Sequence, residues 1–202
     1  IRFIEESIDQ DKPFFAYIAT NTPHGPLYPK QEDYEALEKL FEKSKFANQK
    51  GLKSSLVKYL AMIRNIDSNV GDLANFLDTK GVIDDTIIIF LTDNGSTMGK
   101  SYFNAGMRGM KTELWEGGHR VPLFIKWKNG NFKEVGNEIE GLCRVTDIVP
   151  TLVELCGLKI SNRSSLKGMS IAPILKGKKE ISKERKLIIN YSRMPNFISY
   201  PI

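Results

Sequence analysis

Apolar positions in this chain fall into short continuous runs separated by stretches in which they recur every three or four residues. Residues 13–20 (P-F-F-A-Y-I-A-T) are apolar and aromatic-rich, bounded by proline and by Asn21-Thr22-Pro23, which predicts a buried strand ending in a loop. A charged stretch, 31–50, has helical composition and a frayed apolar pattern. The clearest helix follows: Leu52, Leu56, Tyr59, Ile63, Ile66, Val70, Leu73 and Leu77 mark one face, and Gly81 supplies a stop signal. Residues 86–92 (T-I-I-I-F-L-T) are apolar and rich in β-branched side chains, the pattern of a central parallel strand covered on both faces. Residues 121–127 read as another strand and 187–191 as a last one. Residues 146–155 read as a helix opened by Asp147, with Pro150 in its first turn. Strands and helices alternate, so the expected class is α/β, with helices flanking a largely parallel sheet.

Composition narrows this picture only a little. With 202 residues, 41% hydrophobic and 26% charged, the chain has the make-up of a soluble globular domain or a large piece of one. The net charge of +5 is spread among almost as many acids and lacks an aromatic-and-basic cluster, so it reads as solvated surface, with no nucleic-acid partner expected. The apolar run 87–91 is far too short to cross a bilayer, so no membrane span is expected. The chain opens on Ile1, and Arg2-Phe3-Ile4-Glu5-Glu6 already reads as mid-helix without the pattern of a signal peptide. The expectation is that further chain precedes it, and localisation is not legible from this end. Cys143 and Cys156 lack CxxC spacing and are expected to be unpaired core residues.

In open α/β sheets ligands gather beyond the carboxyl ends of the strands. Three loops stand out: Asn21-Thr22-Pro23-His24-Gly25-Pro26 after the first strand, Thr92-Asp93-Asn94-Gly95-Ser96 after the central strand, and, just before the third strand, Met107-Arg108-Gly109-Met110-Lys111 with the following Trp115-Glu116-Gly117-Gly118-His119-Arg120. Singly each has an ordinary explanation. A histidine between prolines is a turn residue, Asp-Asn-Gly a common turn, and a lysine after glycine a solvated side chain. Together they are chemically coherent. Asp93 and Asn94 offer hard oxygen ligands that suit Ca2+ or Mg2+ and not zinc. His24 adds a titratable donor and Lys111 a fixed positive charge, a set that suits a tetrahedral oxyanion such as sulfate or phosphate.

These residues also carry a resemblance. The runs P-F-F-A-Y-I-A-T-N-T-P-H-G-P, V-G-D-L-A-N-F-L-D-T-K-G with D-D-T-I-I-I-F-L-T-D-N-G, and N-A-G-M-R-G-M-K-T-E-L-W-E-G-G-H-R-V-P resemble successive blocks of the sulfatase family. The later T-D-I-V-P-T-L-V-E-L-C-G-L and G-M-S-I-A-P-I-L-K-G are similar to its next segment. The resemblance covers nearly the whole chain and implies an alkaline-phosphatase-like α/β fold, incomplete in this chain. It also implies hydrolysis of sulfate esters on a formylglycine made from the cysteine or serine of a C/S-x-P-x-R motif. By block matching, Asp93 and Asn94 would be Ca2+ ligands, and His24 and Lys111 would bind the sulfate and meet charge on the departing oxygen. Glu116, Gly117, Gly118 and Arg120 match a block read as structural. The implied substrate is a sulfated small molecule or glycan, and the implied compartment is periplasmic, secreted or lysosomal.

The chain also departs from the family pattern. It contains no C/S-x-P-x-R motif, and Cys143 and Cys156 lack its proline and arginine. The N-terminal aspartate pair of the family's calcium site, the lysine and histidine of its middle segment and its small C-terminal subdomain are not found. Thr112-Glu113-Leu114 follows Lys111 where many members have glycine and small hydroxyl residues. The whole of 1–202 is accordingly expected to be part of a catalytic domain that is inactive by itself. A phosphatase or phosphonate hydrolase of the same superfamily, or a noncatalytic domain with an anion site, remain alternatives. Oligomeric state is not legible.

Overall fold

A helix of 8 residues, α1 (Arg2–Asp9), opens the chain and buries Ile4. The computed structural model describes residues 1–48, 51, 53–98, 102–133, 136, 138–162 and 165–189. They divide into two units, Ile1–Ile83 and Asp84–Ile202, each with its own packing.

In the first unit α2 (Gln31–Glu42) lies against the long α3 (Lys53–Thr79). Glu32 and Asp33 sit in the first turn of α2 and Lys39 in its last, the signs that complement the helix dipole. Phe41 of α2 and Leu56, Val57 and Ala61 of α3 are buried. Burying a side chain such as Leu56 stabilises the fold by about 1.5–3 kcal/mol. Asp33, buried on α2, accepts from Arg64 Nε of α3 at 3.0 Å. The helix stops where the sequence indicates: Gly81 takes φ +70, its N–H reaches the Asp78 carbonyl and the Val82 N–H reaches that of Leu77. This paired closure needs a residue free to adopt left-handed backbone.

The expected stripe on α3 is only partly the buried one. Leu56 and Leu77 are buried as expected, but Ile63 and Val70 remain 37% and 39% exposed, while Val57, Ala61 and Met62 are inside. α2 covers the helix near its N-terminal half, so burial there follows the partner and not the full length of the apolar stripe. Leu52 lies outside the described residues. The strand expected at 13–20 is a second correction. The segment carries no ladder among the described residues, and Phe15, Tyr17 and Ile18 are 73%, 84% and 63% exposed. An apolar run becomes a strand only when a neighbouring backbone takes its hydrogen bonds.

The second unit is built on a small sheet. β1 (Ile88–Leu91) pairs antiparallel with β2 (Leu123–Lys126), with Ile89 opposite Ile125 and Phe90 opposite Phe124. The parallel pairing expected for β1 is therefore absent among the described residues. Nor is β1 covered on both faces, because Phe90 and Phe124 sit on the outer face with ring centroids 6.3 Å apart, and Phe124 is 65% exposed. A continuous apolar run reports burial but not the direction of the neighbouring strand. The inner face, through Ile87, Ile125 and Trp127, packs on a core of Leu155, Ile171, Ala172, Ile174, Leu175 and Ile181. These come from α5 (Ile148–Leu155), from α6 (Ala172–Leu175) and from the chain on either side of α6. α4 (Glu116–His119) lies between β1 and β2 in the sequence. Of the last expected strand, residues 187–189 are unpaired among the described residues and 190–191 lie outside them. Both cysteines are free, as expected, but Cys156 is exposed, whereas Cys143 is half-buried against the core. Burial and the nearby Asp147 carboxylate push the Cys143 thiol above its usual range.

Asp147, just before α5, holds this unit together. Its carboxylate accepts from Arg185 Nη2 at 2.9 and 2.8 Å, from the Met169 N–H at 2.9 Å and from the Arg144 N–H at 3.0 Å. Its carbonyl accepts from Thr151 Oγ1 at 2.6 Å, and that hydroxyl in turn accepts from the Ile171 N–H at 2.9 Å. Asp147 and Thr151 are each 1% exposed. Removing one partner of such a buried pair strands the other charge, so Asp147→Ala is expected to lower stability by about 3–5 kcal/mol in urea denaturation. A loss below about 1 kcal/mol, as for a surface ion pair, would contradict this assignment.

Candidate active site

Asp93 and Asn94 lie immediately beyond β1, where the chain leaves the sheet. Asp93 is exposed, and its Oδ1 accepts from the Asn94 N–H at 2.9 Å, which turns the chain sharply at the strand end. The next residue makes the decisive contact. The Gly95 N–H donates to the Gly118 carbonyl of α4 at 3.0 Å. A Cβ built on Gly95 would run into the Gly117 carbonyl, so this approach is open only to glycine.

The loop that carries Lys111 joins the same knot. The Lys111 N–H donates to the Ser96 carbonyl at 3.4 Å, and Ser96 Oγ accepts from the Met98 N–H at 3.0 Å. The Gly117 N–H donates to the Arg108 carbonyl at 2.8 Å. Gly117 and Gly118 are buried, and a Cβ on either would meet backbone: the Gly109 carbonyl for Gly117, the Glu113 and Met110 carbonyls for Gly118. The structural role expected for these two glycines therefore has a geometric basis. Arg120 and Glu116 form an exposed i,i+4 ion pair at 3.4 Å. The Arg108 guanidinium lies over the Trp115 ring, 3.3 Å from its centroid, and stiffens the approach to α4.

The loops bearing Asp93, Asn94 and Lys111 are thus bonded to one another through backbone. His24 belongs to the first unit, on its own tight loop, and is exposed. Its N–H donates to the Asn21 carbonyl at 2.9 Å, and Nδ1 lies 2.8 Å from the Gly25 carbonyl. A carbonyl only accepts, so Nδ1 carries a hydrogen and Nε2 is the atom that can face a substrate. A neutral ring then presents a lone pair at Nε2, and a charged ring presents a proton there.

Asp93 and Asn94 are hard oxygen donors and fit Ca2+ or Mg2+ in kind. They do not fit in number: among the described residues no group of three or more His, Cys, Asp or Glu side chains could hold a metal ion. Two donors alone fall short of the roughly six to eight oxygens that Ca2+ takes. The role of Gly95 is not legible in the sequence, because it shows only once α4 is folded against it.

Thr112, directly after Lys111, takes φ +76. Left-handed backbone costs a residue with a Cβ about 1–2 kcal/mol, and a β-branched side chain is rare there. Glycine escapes that cost but raises the entropy lost on folding by about 0.5–1 kcal/mol. Thr112→Gly should therefore leave stability unchanged or raise it by up to about 1.5 kcal/mol in urea denaturation. A clear loss would mean that the left-handed conformation is not the strained feature of this loop.

A family model described as Sulfatase matches residues 1–158. The chain is 28% identical over 195 residues to the uncharacterized sulfatase YdeN of Escherichia coli (strain K12), covering 95% of this chain and 32% of that protein. It is also 28% identical over 197 residues to a sulfatase of Formosa agariphila, covering 92% of this chain and 34% of the relative. Among solved structures, Ps i-CgsB in complex with k-i-k-neocarrahexaose aligns with a TM-score of 0.75 at 28% identity, over 89% of this chain and 37% of that one. Its sulfatase neighbours have the alkaline-phosphatase-like α/β fold, so the fold class expected from the sequence holds, with this chain as a helix-rich part that contains a small sheet. The chain spans about a third of the length of these relatives.

Proposed function

The chain belongs to the sulfatase family, and on that premise we propose that it supplies the leaving-group side and part of the cation site of a sulfate ester hydrolase. The observation that carries this reading is the backbone knot that bonds the Asp93-Asn94 loop, the Lys111 loop and α4 to one another. Carboxylate, carboxamide and ammonium groups are thereby carried on loops that cannot drift apart. Such preorganisation is what stabilises charge that develops only during reaction.

In this proposal Asp93 and Asn94 hold Ca2+, or Mg2+, together with ligands from elsewhere in a longer protein. The cation would neutralise charge on the sulfate oxygens. The nucleophile, a formylglycine from a C/S-x-P-x-R motif, lies outside this sequence, so residues 1–202 alone should show no turnover. Lys111 meets negative charge on the sulfuryl group and on the oxygen that departs. His24, charged, would place its Nε2 proton on that oxygen, with Nδ1 kept in place by the Gly25 carbonyl. The substrate is a sulfated small molecule or glycan, in keeping with the carrahexaose bound to Ps i-CgsB. The compartment would be periplasmic, extracellular or lysosomal.

The reading is tested on the full-length enzyme with matched aryl sulfates, phosphates and phosphonates. Sulfate esters should be cleaved fastest, and a preference for phosphate or phosphonate would replace the proposal with its superfamily alternative. Lys111→Ala should lose about a hundred- to a thousandfold in kcat, the cost of one preorganised donor. The His24→Ala defect should grow as the leaving-group pKa rises, because a poor alkoxide needs a proton more than a nitrophenolate does. An equal loss on every substrate would make His24 a sulfate-binding or loop-holding residue and not the acid.

A further inference from the structure

We propose that Asn104 is a positioning residue for Lys111, an assignment that rests on the sulfatase reading of the site. Its side chain is half-buried, and Nδ2 donates both of its hydrogens, to the Met107 carbonyl at 3.0 Å and to the Gly109 carbonyl at 2.7 Å. The Asn104 carbonyl accepts from the Met107 N–H at 2.9 Å, so one residue closes this turn with its side chain and its backbone.

The turn needs that closure. Ala105, Gly106 and Gly109 take φ of +50, +74 and +80, a sequence of left-handed conformations that few residues hold unaided. Gly109 stands two positions before Lys111. A Cβ on Gly117 would meet both Asn104 Nδ2 and the Gly109 carbonyl, so the carboxamide lies beside α4 at the centre of the knot. From there the bonds run outward: the Arg108 carbonyl to the Gly117 N–H, the Gly118 carbonyl to the Gly95 N–H, and the Ser96 carbonyl to the Lys111 N–H. The position requires a two-hydrogen donor. The substitution Asn104→Asp keeps the shape but removes those hydrogens. It would set carboxylate oxygens against two carbonyl oxygens and release the turn that aims Lys111.

The test is a double-mutant cycle in the full-length enzyme, reading kcat and KM on an aryl sulfate alongside thermal melting. Asn104→Asp should lower kcat on the order of 10- to 100-fold, the cost of a misplaced catalytic group, with KM changing by less than about threefold. In a Lys111→Ala background the same substitution should cost less than about threefold, because the group it positions is gone. An equal loss in both backgrounds would show that Asn104 supports the fold in general and would overturn the proposal. If Lys111→Ala alone keeps the wild-type rate, the reading of the site fails, and the positioning role falls with it. Should Asn104→Asp fail to fold, Asn104→Ser carries the cycle, and failure of both to fold would also overturn the assignment.

Discussion

Backbone lies directly on backbone where the loop after β1 meets α4, and the candidate site depends on that approach. A Cβ on Gly95 would run into the Gly117 carbonyl, one on Gly117 would run into the Gly109 carbonyl, and the Gly95 N–H is bonded to the Gly118 carbonyl. Two consequences follow from this one contact. It sets where Asp93 and Asn94 leave the sheet, and it sets α4 as the floor against which the Lys111 loop closes. A side chain at any of these glycines would push the Asp93-Asn94 loop and the Lys111 loop apart, and in the proposed site a charge stabiliser displaced by even about 1 Å loses much of its effect.

Around this knot the second unit is held by a different kind of interaction. The Asp147 carboxylate ties Arg144, Met169 and Arg185 to the start of α5, and Thr151 passes the connection to Ile171 and the apolar core. That core supports the inner face of the β1–β2 pair through Ile87, Ile125 and Trp127. The strand that ends just before Asp93 is therefore backed by packed side chains, and its loop is held by backbone bonds. The site combines a rigid base with a loop cluster whose left-handed residues, Ala105, Gly106, Gly109 and Thr112, need such support.

Features set by local chemistry were legible in the sequence, whereas those set by distant partners were not. The Gly81 stop is local, because only a residue tolerant of left-handed backbone closes that helix end. The strand in 86–92 and the polar Asp93-Asn94 turn beyond its carboxyl end were also readable, the one from its β-branched apolar run and the other from its turn chemistry. The antiparallel partner of β1 was not, because an apolar run is silent about the direction of its neighbour. The run 13–20 has every local mark of a buried strand and yet exposes Phe15, Tyr17 and Ile18. Asn104 was invisible for the same reason. Its two acceptors are carbonyls with no residue-type signature, and only the folded turn brings them to one amide.

Gly95→Ala probes the backbone contact with α4 most directly. Calcium titration calorimetry of the full-length enzyme, with aryl sulfate turnover measured on the same samples, reads the proposed cation ligands and the proposed role of Lys111 together. Gly71→Ala serves as the control, since a Cβ there meets nothing within 4 Å on α3. The backbone contact predicts that Gly95→Ala loses both calcium affinity and turnover by at least about tenfold, while Gly71→Ala keeps both. A Gly95→Ala enzyme that binds calcium and cleaves the ester like the wild type would contradict the claim that this contact organises the site.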